Sequence, residues 1–260
     1  MGVPTFYVRL LADPEFGPGH CANMRLFISG SAPLQAKTWH EFKSRSGFEI
    51  VERYGMTECG MNTSNPLKGK RKPGTVGLPL DGVTLRVVGN AGEPLAPHEV
   101  GQIQFTGPNV FKGYWQNPEK TADDFTEDGF FKSGDLGYMD EDGYVCISGR
   151  DKDLIITGGY NVYPKEIELC IDEMAGVAES AVIGLPHEDF GEQVTAVIVA
   201  GDGETPPEEE EVIDALKQRL AGYKVPKRVF YLDSLPRNAM GKVQKNVLRE
   251  RYEAEPKKSA

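Results

Sequence analysis

Apolar and polar positions follow three different patterns along the chain. In "MRLFISGSAPL" (24–34) a short apolar run ends in a Gly–Ser turn, which predicts a buried strand, with Pro33 suited to start a helix. "QAKTWHEFKSRSG" then reads as a helix closed by Gly47, which lacks a Cβ and suits a left-handed cap. "FEIVERYG" is a second strand. Strand, turn, helix and strand in this order form an α/β layer, whose ligands sit at strand ends. From about Pro73 to Ser148 the pattern shifts to short strands, "TVGLPLDGVTLRVVG", "GQIQFTGP" and "DGYVCISG", divided by Gly and Pro turns. That punctuation predicts a small β-barrel or sandwich, with a short helical turn at "NPEKTADDF".

After "GRDKD" the pattern changes again. "PKEIELCIDEM" predicts a helix begun by Pro164, followed by strands at "GVAESAVIGLP" and "GEQVTAVIVAG". "PPEEEEVIDALKQRLAG" is an amphipathic helix with acids crowding its start and Arg219 near its end. "KRVFYLDSLP" is a further strand, completing an α+β domain joined to the barrel at Arg150–Asp153. No internal repeat or low-complexity linker interrupts the chain.

Composition narrows the function classes. A chain of 260 residues with 39% hydrophobic content suits one large or two ordinary globular domains. A formal charge of −10 argues against nucleic-acid binding, because no global positive field attracts phosphates. The charge is uneven, however: "YKVPKRV" and "PRNAMGKVQKNVLRER" are basic and leave room for a local anion site. Cys21, Cys59, Cys146 and Cys170 are scattered without a C-x-x-C pair, which disfavours zinc or a disulfide framework and suits a reducing compartment. No run resembles a signal peptide or membrane span, so a cytoplasmic location is expected.

Four stretches carry candidate chemistry. "YGMTE" (54–58) follows a strand and offers an aromatic face (Tyr54), a hydroxyl (Thr57) and a hard oxygen ligand (Glu58), the requirements of a purine, a phosphate and magnesium. An ordinary polar turn explains these five residues about equally well. "FFKSGDLG" (130–137) sets Asp135 between glycines on a tight turn at the end of a strand pair, where a carboxylate can accept ribose hydroxyls. Taken alone, a plain turn aspartate is the simpler reading. "GRDKDLIITGGYNVYPKEIE" (149–168) places a fixed cation, Arg150, after the last barrel strand and a charged junction at Lys152–Asp153; Gly158–Gly159 let a ligand approach the backbone. "PRNAMGKVQK" (236–245) is not a phosphate-cradling Walker loop, since Pro236 stands where its first glycine belongs and Val243 where its Ser/Thr belongs. It leaves Lys242 as a cation on a loop, able to stabilise charge developing elsewhere.

Together and in this order, the four stretches resemble the adenylate-forming superfamily of acyl-CoA synthetases, luciferases and peptide-synthetase adenylation domains. The wording of "ERYGMTECGMNTSNPL", "FKGYWQNPEKT" and "ITGGYNVYPKEIE" is most similar to malonyl-CoA synthetases. The resemblance implies an ATP-dependent acid–CoA ligase, which joins a malonate-like carboxylate to AMP, releases pyrophosphate and passes the acyl group to CoA. It implies that Gly30, Ser31, Ala32, Pro33 and Tyr54 wall the adenine and carboxylate pocket. Thr57 would touch phosphate, Glu58 would hold magnesium, and Asp135 with Arg150 would bind ribose. Ser31 and Met61 would face the acid, and Gly158, Gly159 and Tyr160 would line the CoA channel. Lys242 would bridge the carboxylate and the α-phosphate. Lys152 would be the hinge on which the C-terminal domain turns between the half-reactions.

By this resemblance residues 1–149 are the C-terminal part of the large AMP-binding domain, with an α/β remnant at 1–71 and a β-barrel at 72–149. Residues 150–260 are a mobile α+β domain. The family's Ser/Thr/Gly-rich phosphate loop has no counterpart before "YGMTE", so the chain is expected to be a C-terminal portion, incomplete and inactive alone. Residues 1–71 are expected to be poorly ordered, dimerised or domain-swapped, while 150–250 fold independently; self-association or a separate N-terminal half is the expected partner of the chain. The alternatives are an adenylation module loading a carrier protein and a non-catalytic nucleotide- or CoA-binding remnant.

Overall fold

The computed structural model describes residues 1–201, 203–238 and 241–253, and the chain divides into two units, Met1–Ile147 and Ser148–Ala260. In the first, α1 (Pro4–Ala12) opens on a proline, whose fixed φ and missing N–H suit a first helical turn. α2 (Ala36–Ser46) ends on Gly47 at φ 80°, the left-handed cap expected. It begins three residues later than Pro33, which lies in the preceding loop. That loop first delivers the Leu34 N–H to Glu52 Oε1 at 2.9 Å.

β1 (Ile28–Ser29) and β2 (Val51–Met56) pair in parallel, and β3 (Gly60–Ser64) and β4 (Leu78–Pro79) extend the sheet antiparallel. Residues 1–71 have a core of their own. Tyr7, Phe16, Phe27, Trp39, Phe42 and Ile50 pack together in it, and Arg45 ties α2 to the carbonyls of Leu11, Asp13 and Phe16. α1 leaves Phe6, Val8 and Leu10 exposed.

The segment expected to form a small β-barrel or sandwich builds a four-stranded sheet in the order β5 (Thr84–Val88), β6 (Gly101–Thr106), β7 (Phe131–Met139), β8 (Val145–Arg150). Among the described residues β8 does not pair with β5, because other backbone occupies both strands. Val76 donates to Val145 O at 2.8 Å and Val145 to Gly77 O at 2.9 Å, while Leu95 donates to Val87 O at 3.1 Å. The sheet buries Val87, Ile103, Phe105, Phe131 and Val145. α3 (Pro118–Asp124) is capped by Asn117, whose side chain accepts the Lys120 N–H.

In the second unit one sheet runs β10 (Tyr160–Val162), β9 (Ile155–Thr157), β12 (Gly191–Ala200), β11 (Val177–His187), with β13 (Arg228–Leu232) parallel to β12. Its strands alternate between two cores, as the period of two requires. Val182, Ala196 and Ile198 face α4 (Pro164–Asp172) and α5 (Glu209–Lys217). Ala181, Ile183, Val197 and Val199 face α6 (Lys245–Glu253) through Leu248 and Tyr252. α5 carries a capping box between Glu208 and Glu211. No helix among the described residues is long and apolar enough to cross a membrane, and all four cysteines are free.

Candidate active-site elements

The first group forms where β2 runs into its turn. Tyr54 lies within β2, with its ring 5.7 Å from that of Phe105. Thr57 and Glu58 stand on the turn to β3; Thr57 is exposed and Glu58 half-buried. The turn is braced rather than loose. Phe111 N–H donates to Glu58 O at 2.8 Å, and Asn109 Nδ2 donates to Cys59 O at 2.6 Å. Gly55 makes the tight approach possible, since a Cβ there would sit 2.1 Å from Gly60 O. Neither Asn109 nor Phe111 was singled out in the sequence; the Gly–Pro step of "TGPNVF" was the only local signal.

Asp135 does not lie on a turn. It is in the middle of β7 and only 4% exposed. The β6–β7 register shifts between Gln102 and Gln104, where Leu136 and Lys132 are the partners, so residues 133–135 form a bulge. Gly134, at φ 68°, supplies the backbone conformation that this bulge demands. Bulges re-aim a side chain, and here the Asp135 carboxylate accepts the Tyr54 hydroxyl. Tyr54 and Asp135, 81 positions apart, therefore share one spot. The Asp135 N–H is held by Ser133 Oγ at 3.1 Å, and Ser133 in turn donates to Ile103 O.

Gly30 to Pro33 connect β1 to α2. Gly30 is buried against Arg53, while Ser31, Ala32 and Pro33 are exposed and Ser31 takes φ 71°, a left-handed conformation unusual for serine. Met61, in β3, lines a cavity of about 400 Å³ with Arg53, Thr63, Ser64 and Leu80. Arg53 is a cation that the motif reading passed over. Tyr114 neighbours Glu58 and donates to Asp124 Oδ2 at 3.0 Å; burial, followed by that bond, raises its hydroxyl to about 12.

The second unit carries the rest. Arg150 ends β8, and Lys152 is exposed in a single 3₁₀ turn, Asp151–Asp153. Gly158 (φ 56°) and Gly159 (φ 82°), expected to let a ligand approach the backbone, form the turn of the β9–β10 hairpin. Tyr160 is 58% exposed and stacks on Tyr223 with ring centroids 4.6 Å apart. The Gly158 N–H donates to Phe190 O at 2.9 Å, so three exposed aromatic rings stand by the hairpin. Lys242 is exposed beside Gly241 (φ 79°), between Asn238 and Val243.

Magnesium fits only in company. No group of three or more His, Cys, Asp or Glu among the described residues could hold a metal. Glu58 is a single hard ligand, which matches the habit of magnesium of binding one or two carboxylates together with substrate phosphates.

Comparison with known proteins places these elements. Residues 1–115 match the family described as AMP-binding enzyme, and residues 166–242 match the AMP-binding enzyme C-terminal domain. A probable CoA ligase of Humulus lupulus is 43% identical, over 98% of this chain and 45% of its own length. The malonate–CoA ligase of Arabidopsis thaliana is 42% identical, over 97% of this chain and 44% of its own. The crystal structure of ATP-bound MatB from Rhodopseudomonas palustris is 58% identical, with a TM-score of 0.94 over 98% of this chain and 50% of that one. The chain thus spans about half the length of these relatives. On both matched segments and these likenesses, the chain belongs to the AMP-binding enzyme family.

Proposed function

We propose that this chain supplies the C-terminal part of an acid–CoA ligase acting on a small, malonate-like acid. The observation that carries the reading is the shared position of Tyr54 and buried Asp135 beside the braced Thr57–Glu58 turn. Such a group can take a nucleotide: the ring packs against the purine, and Asp135 exchanges its tyrosine partner for ribose hydroxyls. Thr57 donates to phosphate, and Glu58 completes the magnesium shell with phosphate oxygens. Arg150 adds a ribose contact. Lys242 neutralises charge as the carboxylate attacks the α-phosphate, an in-line displacement in which positioning and electrostatics do most of the catalysis.

For thioester formation, the second unit would turn about Lys152, removing Lys242 and presenting Gly158, Gly159 and Tyr160 to CoA. The exposed Tyr160–Tyr223 stack supports that role, since aromatic faces bind the adenine and pantetheine ends of such a ligand. Support for a dicarboxylate comes from Arg53 beside Met61 in the same cavity, together with Ser31 on the neighbouring loop.

The test is malonate-dependent exchange of labelled pyrophosphate into ATP with magnesium. It is run on the chain alone and on the chain mixed with a fragment that carries a phosphate loop. Exchange is expected in the mixture. Its absence under both conditions, with the fragment active beside its own C-terminal half, overturns the reading.

A further inference from the structure

Lys242 stands on a turn whose two sides are tied to two different acids. On one side Arg237 pairs with Glu179 of β11 and donates through Nη1 to Gly241 O at 2.7 Å. On the other, Lys245 opens α6 and its Nζ lies 2.6 Å from Glu168 Oε1 of α4. Between them the Lys242 N–H donates to Asn238 Oδ1 at 3.0 Å, and the Asn238 N–H donates to Lys242 O at 2.9 Å. Gln244 N–H donates to Pro236 O at 2.8 Å, and Arg237 bridges Val243 antiparallel.

Glu168 is an unusual anchor. It is 7% exposed, and its Oε1 also accepts the Val182 N–H at 3.0 Å on the edge of β11 that does not face β12. A carboxylate so withdrawn from water is costly without charged and N–H partners. Lys245, itself only 17% exposed, supplies that partner, with Lys165 3.9 Å away on the same helix. Three residues of chain reach at most about 10 Å, so a pinned Lys245 confines the Cα of Lys242 to a small volume.

We propose that Glu168 and Glu179 are positioning residues that fix where Lys242 stands, acting through Lys245 and Arg237. The inference rests on the role given to Lys242 above and deepens it: the lysine is exposed at its amine but held at its backbone. The second glutamate of "PKEIE" thereby serves the cation of "PRNAMGKVQK" from 74 positions away.

The test uses the full chain, with the phosphate-loop fragment where exchange requires it, and compares E168Q/K245M, R237Q and K245R. The double variant removes both charges together and leaves no buried ion alone; R237Q alters a half-exposed side chain and decides the matter should the double variant unfold. Amide hydrogen exchange at residues 241–244 is expected to accelerate about tenfold in both, while β11 and β12 keep their protection. Adenylation kcat is expected to fall about 10- to 100-fold with KM for ATP within about twofold, and K245R to recover most of it. Thioester formation from preformed acyl-adenylate should not change. Unaltered exchange at 241–244 overturns the clamp. Faster exchange with undiminished adenylation overturns its positioning role. If the parent chain fails to adenylate, the ligase reading falls, and the exchange data still decide whether the two acids hold the turn.

Discussion

Asp135 and Lys242 are both single charges beside a glycine, yet the fold treats them in opposite ways. Asp135 is sealed inside β7, aimed by a bulge and held by Tyr54. Lys242 is exposed on a turn that Asn238 holds at the backbone and two ion pairs hold at the flanks. A group that binds one part of a ligand throughout a reaction gains from a rigid, preorganised sheet. A group needed in one step only gains from a peripheral mount that can leave. The contrast fits the two-step reaction proposed above, in which Asp135 would keep its nucleotide contact through both steps and Lys242 would act in one.

The contrast can be strained from the core outward. Ile198 is fully buried towards the end of β12, and Ile198→Ala is expected to cost about 2–5 kcal/mol. Differential scanning calorimetry should show the loss in a transition belonging to Ser148–Ala260, with Met1–Ile147 unaffected; one shared transition moving as a whole would show that the units do not unfold separately. Asp135→Asn should cost about 1–3 kcal/mol, because it weakens the charge-assisted bond from Tyr54 and brings an amide NH2 into a buried site. Nucleotide binding should weaken with it, by isothermal calorimetry, whereas Tyr54→Phe should weaken binding less than Asp135→Asn.

The smallest effect concerns pH. Burial raises Asp172 to about 6, although Ser180 donates to it and Lys165 opposes the shift. A carboxyl whose folded pKa exceeds its unfolded value near 3.9 favours the folded state while protonated. That contribution is complete below the unfolded value and fades as pH rises through about 6. Between pH 5 and 7 the parent should lose about 1 kcal/mol relative to Asp172→Asn, measured by urea unfolding. Parallel pH profiles for the two proteins would contradict this.

Much of this was legible in the sequence because the chemistry sits in short, local words. "GRDKDLIITGGYNVYPKEIE" declares itself through residues that a plain linker would not combine, "YGMTE" gains weight from the other stretches beside it in order, and Gly47 announced the end of α2. Asp135 was found but misplaced: a bulge depends on the register of a partner strand, which local sequence does not carry. The strand order of the β5–β8 sheet was not legible for a related reason, since it depends on which distant strands find each other. α6 was missed because "KNVLRERYE" is so polar, although Leu248 and Tyr252, four apart, mark its buried stripe. Glu168 and Lys245 were quoted without roles because their pairing spans 77 residues. Arg53 was hidden by its own neighbourhood in the motif, as the residue just before Tyr54.

The central claim is that Lys242 serves one half-reaction only. The most direct measurement assays both steps on the same preparations of Lys242→Ala and Lys152→Pro, with adenylation followed by pyrophosphate exchange and thioester formation started from purified acyl-adenylate. For Lys242→Ala, adenylation should fall about 10²–10³-fold while thioester formation stays near the parent rate. Lys152→Pro should show the reverse. Equal loss of both steps in Lys242→Ala would contradict the account.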